Sequence, residues 1–390
     1  MLKINLYLKW TVYLMKYLLI YPLALVLHMN KNYKNLWLIA ERGTDARDSA
    51  YHLVKYIHSN QPNLNIAFVI TKDSPDRKKV TPLAKVINKG SWKHYLYFCL
   101  ADIKISTHIM GYAPDMLLFM KLDKIGLVKG KKVFLQHGIT KDNLSFLYYP
   151  NVRLDLFVCG AKPEFDFVYD KFNFNEDVVK YLGLCRFDNL HDDKVKKQIL
   201  LMPTWRIWLN NCKDIEAFKQ SEYYIQFNNL INNKKVINLL KKYGYEMVFY
   251  PHYEVQKYIQ AFKSSSSNIK IACFKDFDVQ ALLKESAVLI TDYSSVYFDF
   301  AYMKRPVLYF QFDYEKFCKS QYAKGYFDYE KDGFGPVAYK IDSIYFNLNN
   351  LLENNCINND YFKTRQERFF PLFDNQNCKR NFEEICKLSS

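Results

Sequence analysis

The sequence predicts an α/β protein built from two doubly wound, Rossmann-like halves that face a central cleft. Short apolar runs alternate with stretches in which apolar residues recur at helical spacing, a pattern typical of parallel sheets covered by helices. The alternation stops once, at a charged stretch near residue 190, and then begins again. A chain of 390 residues is also longer than one compact core usually holds, so two domains are expected.

The first 34 residues form a segment of their own. Residues 10–28 are mostly apolar and long enough to cross a bilayer, but Lys16 and Pro22 interrupt the run and no cleavage site of small residues follows it. Lysines and aromatic residues beside a leucine-rich run are typical of a helix that lies in the membrane interface. We therefore predict that residues 1–34 are a membrane-associating helix at the cytoplasmic face of the cell membrane. A single span and a helix packed on the first domain are the alternatives.

The first half, residues 35–190, alternates strand and helix. Ala50, Leu53, Val54 and Ile57 lie on one face of its first helix, which is the spacing of a helix packed on a sheet. The predicted strands are at 35–40, 66–71, 84–88, 102–107, 132–136, 155–160 and 178–183, and the predicted helices are at 46–58, 91–100 and 162–172.

The second half, residues 191–390, follows the charged stretch 186–194, which is the predicted domain boundary. Its predicted strands are at 199–202, 246–250, 269–274, 287–290 and 307–310, its helices are at 228–243, 278–285 and from Ser295 to Arg305, and the tail 350–390 is helical. Two halves of this kind, with ligands bound at the carboxyl ends of their strands, are the GT-B glycosyltransferase architecture.

The composition favours anionic partners. The formal net charge is +15, from 55 basic and 40 acidic residues, which suits phosphorylated substrates, nucleic acid or an anionic membrane surface. No helix-turn-helix or RNA-binding motif is present and the basic residues are dispersed, so we predict no nucleic-acid partner. The nine cysteines contain no CxxC pair, which indicates a reducing cytoplasm and shows no metal site.

Two histidines follow predicted strands directly. His137 comes after the strand 132–136 and precedes Gly138, which allows a substrate to approach closely, and His252 comes after the strand 246–250. A histidine at a strand end can reach a substrate hydroxyl and act as a general base near pH 7. We predict that His137 and His252 are catalytic, with a purely structural role as the alternative for each.

An arginine follows the strand 199–202. Thr204 and Arg206 belong to the sequence Pro-Thr-Trp-Arg, in which a fixed cation at a strand end could bind phosphate with two hydrogen bonds. The alternative is a surface ion pair.

Small polar residues connect the strand 287–290 to a helix. Thr291, Asp292, Ser294 and Ser295 would place hydroxyls at a helix N-terminus, where backbone N–H groups and the helix dipole favour an anion such as phosphate. Asp299, one turn into the helix, could accept a hydrogen bond from a ribose hydroxyl. An ordinary capped turn is the alternative.

Taken together, these motifs resemble the CDP-glycerol glycerophosphotransferase family, which includes teichoic acid primases and polymerases and related capsule enzymes. The resemblance covers roughly residues 35–340, and Cys185 departs from it because proline is usual before Arg186. The matching stretches are NLWLIAERGTDARD (35–48), VFLQHGITKD (133–142), DLFVCGAKPEFD (155–166), GLCRFD (183–188), PTWR (203–206), PH (251–252) and LITDYSSVYFDFAYMKRPVLYFQFD (289–313).

The resemblance implies an enzyme that transfers a polyol phosphate, most of all glycerol phosphate, from a CDP-activated donor and releases CMP. The acceptor would be a hydroxyl of a growing teichoic-acid-like polymer, which is lipid-linked, or of a capsular polymer. His137 would match the base of the family. The donor pyrophosphate would be held by Arg206, His252, Ser294 and Ser295, and the ribose by Asp299.

Two other functions remain alternatives. Many nucleotide-sugar transferases of the GT-B fold carry two glutamates eight positions apart, but Tyr293 stands eight positions after Glu285. A non-catalytic binder of anionic polymers would also use the net positive charge. No cofactor is firmly predicted and a divalent cation remains an alternative, because Asp292 and Asp299 alone do not form an oxygen cage for Mg²⁺. The sequence makes no prediction of oligomeric state.

Overall fold

A computed structural model of the chain describes residues 2–191, 194–273, 276–320 and 323–388, and only the backbone of residues 2–6. The chain divides into two compact units. The first comprises Met1–Ile139, Leu144–Asn189 and Leu372–Ser390, and the second comprises Thr140–Asn143 and Leu190–Pro371.

The first unit is built on a seven-stranded sheet. Its strands are β1 (Trp37–Ala40), β2 (Ile66–Ile70), β3 (Lys85–Asn88), β4 (Ile103–Ser106), β5 (Lys131–Phe134), β6 (Leu156–Cys159) and β7 (Val179–Tyr181). They lie in the order β3-β2-β1-β4-β5-β6-β7 and every neighbouring pair is parallel. The order reverses between β1 and β4, and in such sheets ligands bind beside this switch point at the carboxyl ends of the strands.

The helices of the first unit cover this sheet. They are α1 (Leu2–Leu27), α2 (Ser49–Asn60), α3 (Arg77–Val80), α4 (Trp92–Leu100), α5 (Met116–Lys124), α6 (Lys162–Lys171) and, from the end of the chain, α15 (Asn377–Lys387). The α2 helix buries the four predicted positions, from Ala50 to Ile57, and begins at Asp48, whose side chain accepts from the N–H of Ser49. The apolar spacing therefore predicted correctly that this segment is a helix and which of its faces is buried.

The second unit repeats the arrangement with six strands. They are β8 (Lys196–Leu201), β9 (Glu246–Phe249), β10 (Ile269–Ile271), β11 (Ser286–Thr291), β12 (Val307–Phe310) and β13 (Val337–Ala338). Their order is β10-β9-β8-β11-β12-β13, again parallel throughout, with the switch point between β8 and β11. Position 274, at the end of the predicted strand 269–274, lies outside the described residues, as do positions 192 and 193 of the predicted boundary stretch.

The remaining helices belong to the second unit. They are α7 (Ile215–Lys219), α8 (Glu222–Ile231), α9 (Lys234–Tyr243), α10 (Val279–Glu285), α11 (Val296–Tyr302), α12 (Tyr314–Ser320), α13 (Ile341–Glu353) and α14 (Asp360–Phe369). The predicted helix 228–243 is therefore two helices. Asn233 separates them because its side chain accepts from the N–H of Val236 and so caps α9.

The end of the chain belongs to the first unit, whereas all of 191–390 was predicted to form one domain. It packs there because the carboxylate of Asp188, far away in sequence, binds the start of α15. Asp188 accepts hydrogen bonds from the backbone N–H groups of Asn377 and Cys378, at 2.9 and 2.8 Å, and so caps the start of α15. No local sequence pattern in the last residues predicts this distant partner.

The N-terminal helix α1 packs on the first unit, chiefly against α4. Tyr17 and Ala24 are buried in the same core as Phe98 and Phe119. By length and apolar composition, Tyr7–Leu27 could also cross a membrane, and 11% of its most apolar window is buried in the protein. Residues 1–34 are thus packed on the first domain, which was an alternative to a separate segment.

Candidate functional site

His137 projects from the carboxyl end of β5 because the preceding residue turns the chain. Gln136 has a left-handed backbone with φ of 59°, and its buried side chain donates to the Val158 carbonyl and to Glu164 at 2.7 and 2.9 Å. These bonds fix Gln136 to the neighbouring strand β6 and to α6. His137 is consequently exposed, and Gly138 beside it is partly buried.

The His137 ring is held by residues at the end of β4, the neighbouring strand. The rings of His108 and His137 stack with centroids 4.2 Å apart and planes 18° apart. The backbone of Thr107 also hydrogen-bonds to the His137 ring. His108 was not among the predicted site residues, although it follows the predicted strand 102–107 just as His137 follows the strand 132–136.

The surroundings of His137 keep its imidazole neutral. Burial among protein atoms lowers the pKa of His137 below the ordinary value of histidine, although the side chain reaches solvent. Asp48 opposes this shift, and Arg186 and Arg42 add to it. A neutral imidazole can accept a proton, so His137 has the protonation state that a general base needs.

Asp48 and Arg186 form an ion pair near this ring. Arg186 Nη1 lies 2.9 Å from Asp48 Oδ1, and both side chains are largely buried. Neither residue was among the predicted site residues. The available signal was that each stands in one of the family-like stretches, ERGTDARD and GLCRFD.

His252 follows β9 in the second unit and is partly buried. It caps a 3-10 helix, Tyr253–Ala261, in which its Nδ1 accepts from the N–H of Glu254 at 3.2 Å. Because Nδ1 is an acceptor, the proton of the neutral ring is on Nε2. His252 is therefore engaged through Nδ1 in this cap, and its predicted catalytic role stays a prediction.

Arg206, which was predicted to bind phosphate, is completely buried in the second unit. Its Nε and Nη2 donate to the two carboxylate oxygens of Asp313 at 2.7 and 3.1 Å, and its Nη1 lies 2.9 Å from Asp292. Burial by itself lowers the pKa of Arg206, but Asp292 and Asp313 raise it above the ordinary value, so the guanidinium stays charged.

Aromatic rings enclose the guanidinium. The Arg206 carbon Cζ lies 4.8 Å from the centre of the Tyr293 ring and 5.2 Å from that of Phe317, and these two rings stack with centroids 3.6 Å apart. The arginine thus ties together the segments that follow β8, β11 and β12. The guanidinium is closed off from solvent, which supports a structural role for Arg206, and its predicted contact with pyrophosphate stays a prediction.

Three of the predicted donor-binding side chains also point into the second unit. Thr291 is buried and its hydroxyl donates to the Met202 carbonyl at 2.7 Å. Asp292 accepts from the N–H of Thr204 at 2.8 Å, which holds the ends of β8 and β11 together. Asp299 is buried within α11, so its predicted ribose contact is not supported.

The hydroxyls of Ser294 and Ser295 are in a different position. Both residues are partly exposed just before α11, and neither hydroxyl bonds to any part of the chain that the structure describes. Ser295, one of the two serines expected at this helix N-terminus, is the N-cap residue, but its side chain makes no capping bond, and α11 has only seven residues. The Thr204 hydroxyl is buried and makes no hydrogen bond among the described residues.

The acids of the predicted donor site offer little to a cation. Asp292 is engaged by Arg206, so a metal ion would have to displace a buried guanidinium. In residues 2–191, 194–273, 276–320 and 323–388 there is no group of three His, Cys, Asp or Glu side chains that could hold a metal ion.

Known proteins resemble this chain over most of its length. GgaB of Bacillus subtilis strain 168, a minor teichoic acid biosynthesis protein, is 33% identical over 92% of this chain and 40% of its own length. A teichoic acid poly(glycerol phosphate) polymerase of Staphylococcus epidermidis is 32% identical over 76% of this chain and 42% of its own. This chain thus spans less than half the length of either relative.

The wall teichoic acid polymerase TagF has the same fold, which confirms the predicted GT-B-like class. Its structure matches with a TM-score of 0.70 and 20% identity, over 98% of this chain and 96% of the TagF chain. A histidine variant of TagF soaked with CDPG matches at 0.69. The sequence model of the CDP-glycerol:poly(glycerophosphate) glycerophosphotransferases matches residues 20–387. The chain therefore belongs to the CDP-glycerol:poly(glycerophosphate) glycerophosphotransferase family.

Proposed function

We propose that this chain transfers glycerol phosphate from CDP-glycerol to a hydroxyl of a teichoic-acid-like or capsular polymer and releases CMP. The observation that carries the proposal is the family match over residues 20–387, which includes the exposed histidine after β5. The match favours this function over a nucleotide-sugar transferase and over a non-catalytic binder of anionic polymers.

His137 acts as the general base in this proposal. Its neutral ring takes the proton of the acceptor hydroxyl, and the hydroxyl oxygen forms a bond to the phosphorus of the glycerol phosphate group. The bond from that phosphorus to the bridging oxygen breaks, and CMP leaves with the electron pair. Base assistance of this kind contributes about 100- to 10,000-fold to the rate.

The second unit supplies donors for the phosphates. Ser294 and Ser295 offer hydroxyls that have no bond in the described part of the chain, and His252 follows β9 in the same unit. Donors aimed at the transferring oxygens stabilise the charge that develops there. Arg206 contributes indirectly, because its bonds to Asp292 and Asp313 fix the segment that carries the two serines.

The experiment that tests this function follows nucleotide release from three donors in parallel. The full chain is incubated with CDP-glycerol, CDP-ribitol and a UDP-sugar, each with and without a membrane fraction that supplies acceptor polymer. We expect CMP release from CDP-glycerol that depends on the acceptor. UDP release without CMP release would instead show a sugar transferase, and no release from any donor would contradict an enzymatic function.

We also propose that α1 attaches the chain to an anionic membrane surface at the cytoplasmic face. The helix buries Tyr17 and Ala24 on one side and exposes an apolar stripe on the opposite side. The exposed stripe consists of Leu8, Val12, Met15, Leu19, Leu23 and Val26. Lys9 and Lys16 lie between the two faces, over the rings of Tyr13 and Trp92. An apolar outer face flanked by lysines suits a helix lying in an anionic interface.

Sedimentation with vesicles tests the attachment. A variant with Met15→Glu, Leu19→Glu and Val26→Glu should lose binding to vesicles that contain anionic lipid, because three charges enter the lipid-facing stripe. The control variant carries Ile225→Glu, Phe346→Glu and Ile357→Glu, which changes the net charge equally at exposed sites of the second unit. Equal binding of both variants would place the attachment elsewhere on the protein.

A further inference from the structure

We propose that His108 is a positioning residue for His137: it holds the imidazole of the base in one orientation by stacking against its face. The inference rests on the proposed function, because it assigns a role to a neighbour of the proposed base. It stands on the geometry at the ends of the adjacent strands β4 and β5.

Consecutive residues after β4 hold the His137 ring in two directions. The backbone of Thr107 takes a hydrogen bond in the plane of the ring, and His108 covers the face of the ring at a centroid distance of 4.2 Å. A hydrogen bond alone would allow the ring to rotate about the bond axis. A stacked neighbour blocks that rotation, so the two contacts together fix the ring plane.

His108 is itself fixed. The Thr107 hydroxyl lies 3.1 Å from His108 Nδ1, and the Ser106 hydroxyl donates to the His108 carbonyl at 2.6 Å. Ser106 and Thr107 are buried, and β4 lies in the middle of the seven-stranded sheet. The stacking surface is therefore part of the rigid scaffold and not a mobile side chain.

The bond to Thr107 also selects the nitrogen that acts as base. A backbone carbonyl accepts only from a protonated ring nitrogen, so the other nitrogen of neutral His137 carries the lone pair. Stacking holds this nitrogen in a constant direction. Misplacement of a reacting group by about 1 Å can cost about 100-fold in rate.

The geometry excludes a proton relay between the two histidines. The lone pair and N–H bonds of an imidazole lie in the plane of the ring, whereas these rings meet face to face at an interplanar angle of 18°. Neither ring can donate to the other in this arrangement. His108 therefore acts by orientation and by excluding water from one face of His137.

The charged groups around the pair support this role. Burial is the largest cause that lowers the pKa of His108, to about 3, and the charges of His137, Arg42 and Lys89 lower it further. Asp48 raises the pKa of His137, and Arg186 and Arg42 lower it. His108 thus remains neutral and offers an uncharged ring face over the whole range in which the base works.

The test compares His108→Ala with His108→Phe in the full chain. We expect His108→Ala to lower the turnover of CDP-glycerol by about 10- to 100-fold with an unchanged donor KM, because only the orientation of the base is lost. His108→Phe keeps a flat ring over His137 and should stay within about threefold of the wild type. His58→Ala, at an exposed histidine near the end of α2, is the matched control.

A second readout separates positioning from a structural role and does not depend on turnover. Histidine ¹³C labelling follows the titration of His137, which is assigned by the loss of its signal in His137→Gln. His108→Ala should raise the pKa of His137 towards the ordinary value near 6.5, because one face becomes hydrated, and His108→Phe should not. The acidic limb of the turnover should move in the same direction.

The outcomes are distinguishable. An unchanged His137 titration in His108→Ala, or a Phe variant that is as impaired as the Ala variant, would overturn the positioning role. A wild-type chain that releases no CMP while its His137 titration responds to His108→Ala would contradict the proposed function and leave the positioning intact.

Discussion

The carboxyl ends of the two sheets carry similar sequence signals and use them in opposite ways. In the first unit, His137 follows β5 and is exposed, with cations around it. In the second unit, Arg206 follows β8 and is completely buried between two carboxylates. Sequence places a charged or titratable residue at a strand end, but the partners that reach it from other strands decide whether it faces a ligand.

The physical difference is where the opposite charges are. Asp292 follows β11, the neighbour of β8, and Asp313 follows β12, the next strand of the same sheet, so both carboxylates converge on Arg206. Among the groups with the largest effect on the pKa of His137, Asp48 is the carboxylate, and it is paired with Arg186. His137 thus stays exposed to solvent, whereas Arg206 is enclosed by two acids.

Among the tests of this contrast, removal of the buried cation Arg206 should have the largest effect. Arg206→Met should lower the free energy of unfolding of the second unit by about 3–5 kcal/mol, because it leaves Asp292 and Asp313 buried without their partner. Hydrogen exchange of the β11 amides in urea measures the effect on this unit separately.

The control is an exposed ion pair in the same unit. Lys270→Met removes the partner of Glu246 from an ion pair whose two side chains are about half-exposed. It should lower the free energy of unfolding by at most about 1 kcal/mol. If Arg206→Met left stability within that range and abolished donor binding instead, the arginine would be the phosphate clamp that the sequence suggested.

Removing the exposed histidine should affect chemistry and leave stability intact. We expect His137→Ala to lower the turnover of CDP-glycerol by about 100-fold or more, since base assistance is lost while the donor contacts of the second unit remain. Steady-state CMP release and calorimetry with CDP-glycerol measure the two effects. Near-normal turnover in a folded variant would refute the base.

The serine pair offers a finer comparison within the second unit. Ser294→Ala with Ser295→Ala should weaken CDP-glycerol binding by about 1–3 kcal/mol, because two hydroxyls that could bind phosphate are removed. The hydroxyl of Thr291 is only three residues away but donates to Met202, so Thr291→Val should leave the affinity unchanged. Calorimetry that shows equal affinity for all three proteins would place the phosphates elsewhere.

The sequence could predict much of the fold because its signals are local. Apolar spacing located β11, α11 and β12 from one continuous stretch. It could not predict that α15 packs on the first unit, since Asp188 holds α15 across nearly two hundred positions. Ring stacking between His108 and His137 likewise depends on the order of strands, which no local pattern encodes.

The smallest expected effect concerns acid stability in the first unit. His94 is completely buried in α4, where its Nδ1 accepts from the N–H of Gly90 and its Nε2 donates to the Tyr112 carbonyl. Burial lowers the pKa of His94 to about 4 and that of His108 to about 3. Below the ordinary histidine value near 6.5, the unfolded chain binds protons that the folded chain does not, so stability falls as the pH falls.

Between pH 6.5 and 5.5 this effect should remove about 1 kcal/mol per histidine from the free energy of unfolding of the first unit. Hydrogen exchange of the β1 and β2 amides at the two pH values measures the loss. His94→Gln keeps a side chain that can donate to the Tyr112 carbonyl but cannot titrate, and it should make the loss smaller by about 1 kcal/mol because the contribution of His94 is removed. An equal loss in the wild type and in His94→Gln would mean that the His94 ring takes up its proton in the folded state.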